Sequence, residues 1–341
     1  MLSDRRRAGN ALGEFLGKEQ GSPQLSDSGS RHSSGENAKF SKTRAFESPY
    51  DAMDVKAMDA HATKMYPNDN SRKSTPRPTV SVVMPALNEA KNLPFVAARM
   101  PAGIDELVFV DGNSVDDTVA VARRLWPDAK ILTQTRKGKG NALACGFMHA
   151  TSDIVVMIDA DGSTDPAEIP AFVDALIHGA DFAKGSRFIA GGGSADITFT
   201  RKLGNWMLNS FVNMEFAVSF TDLCYGYNAF WRRHVSVMSL PATDRPDAHW
   251  GDGFEIETLI NVRMATAGLG IVEIPSFERR RISGKSNLNV VRDGFRVLRT
   301  VRMEYRNGTK MTTKSVERPT SLTRRSVYSW RSRDRGDYVA R

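Results

Sequence analysis

Between residues 79 and 184 the chain alternates short, β-branched apolar runs with stretches whose apolar residues fall at helical spacing. Few folds accept that alternation. The runs at 79–84, 106–110, 130–133, 153–158 and 181–184 predict strands. The intervening 89–99, 116–125, 139–150 and 166–178 predict helices, the first confined or broken by Pro94 and the last with Pro166 near its start. Strands alternating with helices give an α/β fold whose central sheet is mainly parallel and covered on both faces. In such a sheet, ligands gather beyond the carboxyl ends of the strands.

Polar residues cluster at those ends. The first strand runs into Pro85-Ala-Leu-Asn-Glu89 and the second into Asp111-Gly-Asn-Ser-Val-Asp-Asp117. The third leads to Arg136-Lys-Gly-Lys-Gly140, and the fourth ends on Asp159-Ala-Asp161. A solvated turn accounts for any one of these, but poorly for the set. Two nearby carboxylates repel each other and resist desolvation, so a cation is the natural compensation. Their hard oxygens suit Mg²⁺ or Mn²⁺, which bridges phosphates and neutralises a leaving diphosphate. Asp111 stands where acidic residues of nucleotide sites bond a ribose or base. Lys137 and Lys139 sit among glycines that let backbone approach an anion. The lysine loop lacks the spacing of a P-loop, and no Gly-x-Gly-x-x-Gly follows the first strand, which argues against a dinucleotide dehydrogenase.

Charge separates the middle from the ends. The net charge of +8 comprises +3 in residues 1–78, +6 in 310–341 and −1 between them. The basic residues therefore lie in the tails, and no basic stripe marks the middle as a nucleic-acid-binding domain. Residues 1–78 are polar and without periodicity, and 310–341 are rich in Arg, Ser and Thr, so both are expected to be disordered tails around a domain at 79–309. Such tails can touch anionic lipid weakly. Two cysteines, Cys145 and Cys224, make no disulfide framework and fit a reducing cytoplasm. No apolar run approaches the roughly 20 residues that span a bilayer, and residues 1–20 lack the apolar core of a secretory signal.

In order and spacing, Pro85–Glu89, Asp111–Thr118, Lys137–Asn141, Asp159-Ala-Asp161 and Gly185-Ser-Arg-Phe188 resemble the family 2 glycosyltransferases. The resemblance implies the GT-A (Rossmann-like) fold over 80–290 and inverting transfer of a sugar from a UDP- or GDP-sugar. It places Pro85, Asn88, Glu89, Asp111, Asn113, Asp116, Lys137, Lys139 and Asp159 at the donor, with Asp159 and Asp161 holding Mg²⁺ or Mn²⁺. Asp222-Leu-Cys-Tyr-Gly-Tyr-Asn228 and Arg281-Ile-Ser-Gly-Lys-Ser-Asn287 are similar to segments of the dolichyl- and polyprenyl-phosphate sugar synthases. That likeness implies phosphate or acceptor contacts for Arg187, Arg201, Arg281 and Ser286, and polyprenyl phosphate as an acceptor. It also implies work at the cytoplasmic face of a membrane. The Gln-x-x-Arg-Trp segment of the processive synthases is absent.

A phosphate acceptor is already anionic, whereas a hydroxyl acceptor needs a base within hydrogen-bond reach. The candidate bases are Asp222, Asp252 and Glu255. Asp252 and Glu255 also have the spacing of a capping box for the helix that follows. The amphipathic stretch 201–218 is expected either to meet a membrane or to pack as an ordinary core or dimer helix. Two other classes stay in view: a sugar nucleotidyltransferase, disfavoured because no Gly-rich loop with Arg follows the first strand, and a binding protein without turnover.

Overall fold

The structure, a computed structural model, describes residues 77–284, 290–312 and 328–329. Strands form where the apolar runs predict them: β1 (Val80–Ala86), β2 (Glu106–Asp111), β3 (Lys130–Thr133), β4 (Ile154–Met157) and β5 (Phe182–Ser186). Beyond them come β6 (Gly193–Ser194), β7 (Asn228–Trp231), β8 (Ile271–Pro275), β9 (Phe277–Glu278) and β10 (Tyr328–Ser329). The main sheet has the order β10-β8-β5-β7-β4-β1-β2-β3. All its neighbours pair in parallel except β7, which runs antiparallel to both β4 and β5. β6 and β9 form a separate parallel pair.

Helices cover both faces, and the strand pleat sorts the core between them. On one face Val82, Met84, Phe109 and Val156 meet α1 (Leu93–Ala98), α2 (Thr118–Leu125) and α4 (Ile169–Ile177). On the other, Val83, Val108, Val155 and Phe230 meet α3 (Lys139–His149), α5 (Phe199–Phe216), α6 (Ile256–Thr266) and α7 (Val290–Thr312). Each fully buried Val, Leu or Phe contributes about 1.5–3 kcal/mol. β1, in the middle of the sheet, sets Val83 opposite both Val108 and Met157.

The departures from expectation are local. Pro94 lies in the first turn of α1, so the helix starts at Leu93 and residues 89–92 are turns. The 166–178 stretch divides into a 3-10 turn at Pro166–Glu168, capped by Asp165 on the Ala167 amide at 3.0 Å, and α4. α7 runs to Thr312, past the expected domain end, and Tyr328–Ser329 of the expected tail lie beside Val272 and Glu273 at the sheet edge. The rest of both expected tails lies outside the described residues. α5 is not an all-round core helix: Phe199, Leu203, Trp206, Met207 and Met214 are exposed. Among the described residues, no helix is long and apolar enough to cross a membrane.

Candidate active site

A cavity of about 1090 Å³ opens at the carboxyl ends of the parallel strands. Pro85 and Ala86 line it from β1, Gly112 and Asn113 from the turn after β2, Asp159 and Asp161 from beyond β4, and Arg187 from beyond β5. Lys137 and Lys139 enter from the start of α3, Arg201 and Asn205 from α5, and Arg296 from α7. Seven segments distant in sequence thus meet in one crevice, four of them at strand ends as the parallel topology requires.

The two alternate aspartates are already paired with cations. The Lys139 Nζ lies 2.6 Å from Asp159 Oδ1 and 2.6 Å from Glu257 Oε1. Burial works against the charge on Lys139, but Asp159 and Glu257 outweigh it and raise the lysine pKa above its ordinary value. The Arg281 Nη2 lies 2.6 Å from Asp161 Oδ2, and its Nη1 donates to Glu89 Oε1 at 2.9 Å. Burial pushes the Glu89 carboxyl up, against the hydrogen bonds from Asn92 and Arg281. Gly226 completes the arrangement: a Cβ there would lie 2.3 Å from Glu257 Oε1.

Hard carboxylate oxygens that attract cations in the wall of this cavity fit a small divalent ion. Among the described residues, no group of three or more His, Cys, Asp and Glu side chains gathers around a metal position. One or two carboxylates completed by substrate phosphate and water is the usual way of holding Mg²⁺. Asp159 and Asp161 are the residues that would supply them.

Several expected residues serve the loops instead. Asp111 folds back on its own turn, accepting from the Asn113 amide at 3.0 Å and the Ser114 amide at 3.1 Å, so it does not line the cavity. Asn88, at φ 58°, accepts from the Val115 amide at 2.8 Å and ties the turns after β1 and β2 together. Asp116 starts α2 by accepting from the Thr118 amide at 3.1 Å. Of the glycines in the Lys137–Gly140 loop, Gly138 lines the cavity, and both Gly138 and Gly140 also pack on the turn that carries Asp252. A Cβ on Gly138 or Gly140 would lie 2.0 Å from the Asp252 carbonyl oxygen or 1.8 Å from that of Gly251, so here glycine permits backbone to pack on backbone.

The candidate bases are committed as well. Asp222 is fully buried and does not line the cavity; it grips Arg187 through Nε at 2.7 Å and Nη2 at 2.9 Å. Arg187 spends its remaining terminal nitrogen on Glu278 at 2.9 Å, so its fork is filled by carboxylates rather than open to phosphate. Asp252 forms the same kind of pair with Arg136, at 2.8 and 2.9 Å. The capping box is not formed: α6 begins after Glu255, without a side-chain cap. Glu255 accepts from the Gly251 amide at 3.1 Å and from Arg296 at 3.0 Å. Arg201 lines the cavity beside Asp196, 3.2 Å away. Ser286 lies outside the described residues.

Three cavity or supporting residues escape a reading by motif. Glu257 is the third acidic residue of a cluster whose first two members looked more useful, and only the fold brings Lys139 to it. Arg136 precedes the lysines that attract attention, yet it is the buried partner of Asp252. Arg296 comes from a helix with no recognisable signature.

Residues 81–237 match the family described as glycosyl transferase family 2. An uncharacterised glycosyltransferase of Mycobacterium tuberculosis is 35% identical over 210 residues, covering 62% of this chain and 89% of its own. The polyprenol monophosphomannose synthase of Mycolicibacterium smegmatis is 31% identical over 228 residues, covering 63% and 84%. Among solved structures, the glucosyl-3-phosphoglycerate synthase of Mycobacterium tuberculosis, crystallised with Mn²⁺, UDP-glucose and phosphoglyceric acid, superposes with a TM-score of 0.51 at 24% identity, over 67% of this chain and 80% of its own. The shared fold is GT-A. By the sheet, the crevice and these relatives, the chain belongs to the family 2 glycosyltransferases, and it is an enzyme of that class.

Proposed function

We propose that the enzyme transfers a hexose, with inversion, from a nucleotide-diphosphate donor to a polyprenyl phosphate at the cytoplasmic face of a membrane. The observation that carries the phosphate acceptor is the commitment of Asp222, Asp252 and Glu255 to internal partners. Asp222 and Glu255 do not line the cavity and Asp252 is gripped by Arg136, so none of the three is placed to deprotonate a hydroxyl there, whereas a phosphate acceptor brings its own anionic nucleophile. The relatives named as polyprenol monophosphomannose synthase and undecaprenyl-phosphate mannosyltransferase support the same acceptor class.

In this reading the donor nucleoside lies along Pro85 and Asn113, and Lys137 and Lys139 face its diphosphate. Asp159 and Asp161 hold Mg²⁺ or Mn²⁺, which would stabilise the departing diphosphate. The acceptor phosphate enters past Arg201 and Arg296. α5 supports a lipid acceptor by its two faces: Arg201, Asn205 and Leu208 line the cavity, while Phe199, Leu203, Trp206, Met207 and Met214 face outward on the opposite side. An apolar, aromatic face of this kind suits the membrane interface.

The test is calorimetric titration with UDP, GDP and their sugar conjugates, with and without Mn²⁺, followed by transfer assays offering polyprenyl phosphate and the corresponding polyprenol. Metal-dependent binding of one nucleotide class and transfer to the phosphate alone are expected, the product having inverted anomeric configuration by NMR. Transfer to the alcohol, or no nucleotide binding by folded protein, defeats the proposal.

A further inference from the structure

Arg281 is expected by resemblance to meet phosphate, but the structure has it on carboxylate. Its guanidinium bridges Asp161 Oδ2 at 2.6 Å and Glu89 Oε1 at 2.9 Å. The next two residues press on the same turn. Ile282 packs over Gly162, so closely that a Cβ on that glycine would lie 2.8 Å from its Cδ1. The Ser283 carbonyl accepts from Asn92 Nδ2 at 3.2 Å, and Asn92 in turn donates to Glu89. Residues 281–283 therefore form a strap across the Asp159-Ala-Asp161 turn, with a guanidinium at the carboxylate that a divalent ion would use.

We infer that Arg281 is an internal counter-ion for Asp161, which exchanges with the metal and is thereby released to bind phosphate. The inference rests on the metal role proposed above for Asp159 and Asp161. A guanidinium and a divalent cation cannot both sit against the same carboxylate oxygen, since like charges a few ångströms apart repel strongly at the mouth of a protein cavity. Metal arrival therefore breaks the Arg281–Asp161 bond and leaves the Glu89 bond as the remaining tether. The freed nitrogens are a planar fork suited to phosphate oxygens. In the metal-free protein the strap keeps an anionic turn neutralised and the phosphate-binding fork occupied. Site assembly follows the metal, so the donor diphosphate meets a completed set of cations only after the metal is in place.

The exchange is tested in the full-length protein without nucleotide. Mn²⁺ affinity is read from the electron paramagnetic resonance of the free ion in wild type, Arg281→Gln and Arg281→Lys. Removing the competing guanidinium is expected to tighten Mn²⁺ about two- to fivefold in Arg281→Gln, the scale of a partly exposed ion pair. Arg281→Lys keeps the charge but cannot fork across two carboxylates, so its affinity is expected between the other two. Wild type supplies a second reading that needs no variant. Mn²⁺ should accelerate phenylglyoxal modification of Arg281, mapped by mass spectrometry, while the doubly paired Arg187 stays unchanged as internal reference. Mn²⁺ that binds wild type, with no tightening in Arg281→Gln and no change in Arg281 labelling, overturns the exchange but leaves the metal role standing. Absence of Mn²⁺ binding in every protein overturns both.

Discussion

Replacing Arg136 with methionine should destabilise the enzyme out of proportion to its distance from any reacting atom. The guanidinium donates to both Asp252 oxygens, at 2.8 and 2.9 Å, and to the carbonyls of Ala242 and Arg245, at 2.7 and 2.9 Å. Both side chains of the pair are nearly inaccessible, 2% and 6% exposed. Methionine fills much of the volume but strands a buried carboxylate, whose remaining partner is the His249 amide at 2.7 Å. Breaking a buried pair from one side costs about 3–5 kcal/mol. With a urea slope of about 2–3 kcal/mol per molar, the unfolding midpoint should fall by roughly 1–2.5 M. The double variant Arg136→Met/Asp252→Leu should recover more than half of that loss, because no charge is left unpaired. The pH dependence follows. Burial raises the Asp252 carboxyl, but the Arg136 hydrogen bonds and charge outweigh it and hold it below the usual value. The pair therefore stabilises the fold above the ordinary aspartate range, and the contribution is lost as pH falls through the depressed folded-state value. Arg136→Met should flatten that acid limb. Urea titration and circular dichroism across pH 3–7 (an assay window of about four units) measure both effects. A midpoint shift under about 0.4 M, with Asp252→Ala costing only the ~1 kcal/mol of a lost helix cap, would return Asp252 to the capping role and refute the reasoning.

Other outcomes follow from the same geometry. Asp161→Ala should leave the melting temperature near wild type and lower kcat by ~10²–10⁴-fold in a transfer assay, the scale of a lost metal contact at a leaving group. Gly226→Ala should drive a methyl group onto Glu257 Oε1, displace the Lys139–Glu257 bond and weaken nucleotide binding by calorimetry, with only a modest loss of stability. Glu106 is held at about 2 against an ordinary 4.5: burial raises it, but hydrogen bonds from Lys130, Ser81 and Thr151 lower it further. Its contribution is full above about 4.5 and disappears as pH falls towards about 2, so Glu106→Gln should lose that part of the acid dependence in urea melts.

The sheet was legible because period and composition act locally. Residues 79–184 alternate between two periods, and β1 to β5 form within a residue or two of where the apolar runs lie. β7 was not legible. Its four residues, Asn228–Trp231, carry no alternation, and only the gap between β4 and β5 makes them a strand. The position of the crevice was legible for the same topological reason. The partners of its side chains were not, because they are fixed by long-range charge pairing. Asp252 and Glu255 have the spacing of a cap, yet Arg136, 116 residues away, claims the first of them. Asp111 looked like a ribose ligand, but the short turn after β2 leaves its amides facing that carboxylate. In each case a local rule was outbid by a buried charge that had to be satisfied.

The seam where Gly138 and Gly140 lie on Gly251 and Asp252 has an evolutionary consequence. The Gly140 amide donates to the Asp252 carbonyl at 2.8 Å, and no side chain fits between the two strands of backbone. The turn that presents Lys137 and the turn that carries His249 and Phe254 therefore behave as one piece. A substitution that shifts either shifts both, so this lineage cannot retune the two ends of its crevice separately by drift in these turns. New specificity is more accessible from α5 and α7, whose cavity-facing residues Asn205, Leu208 and Arg296 can change size or charge without opening the seam.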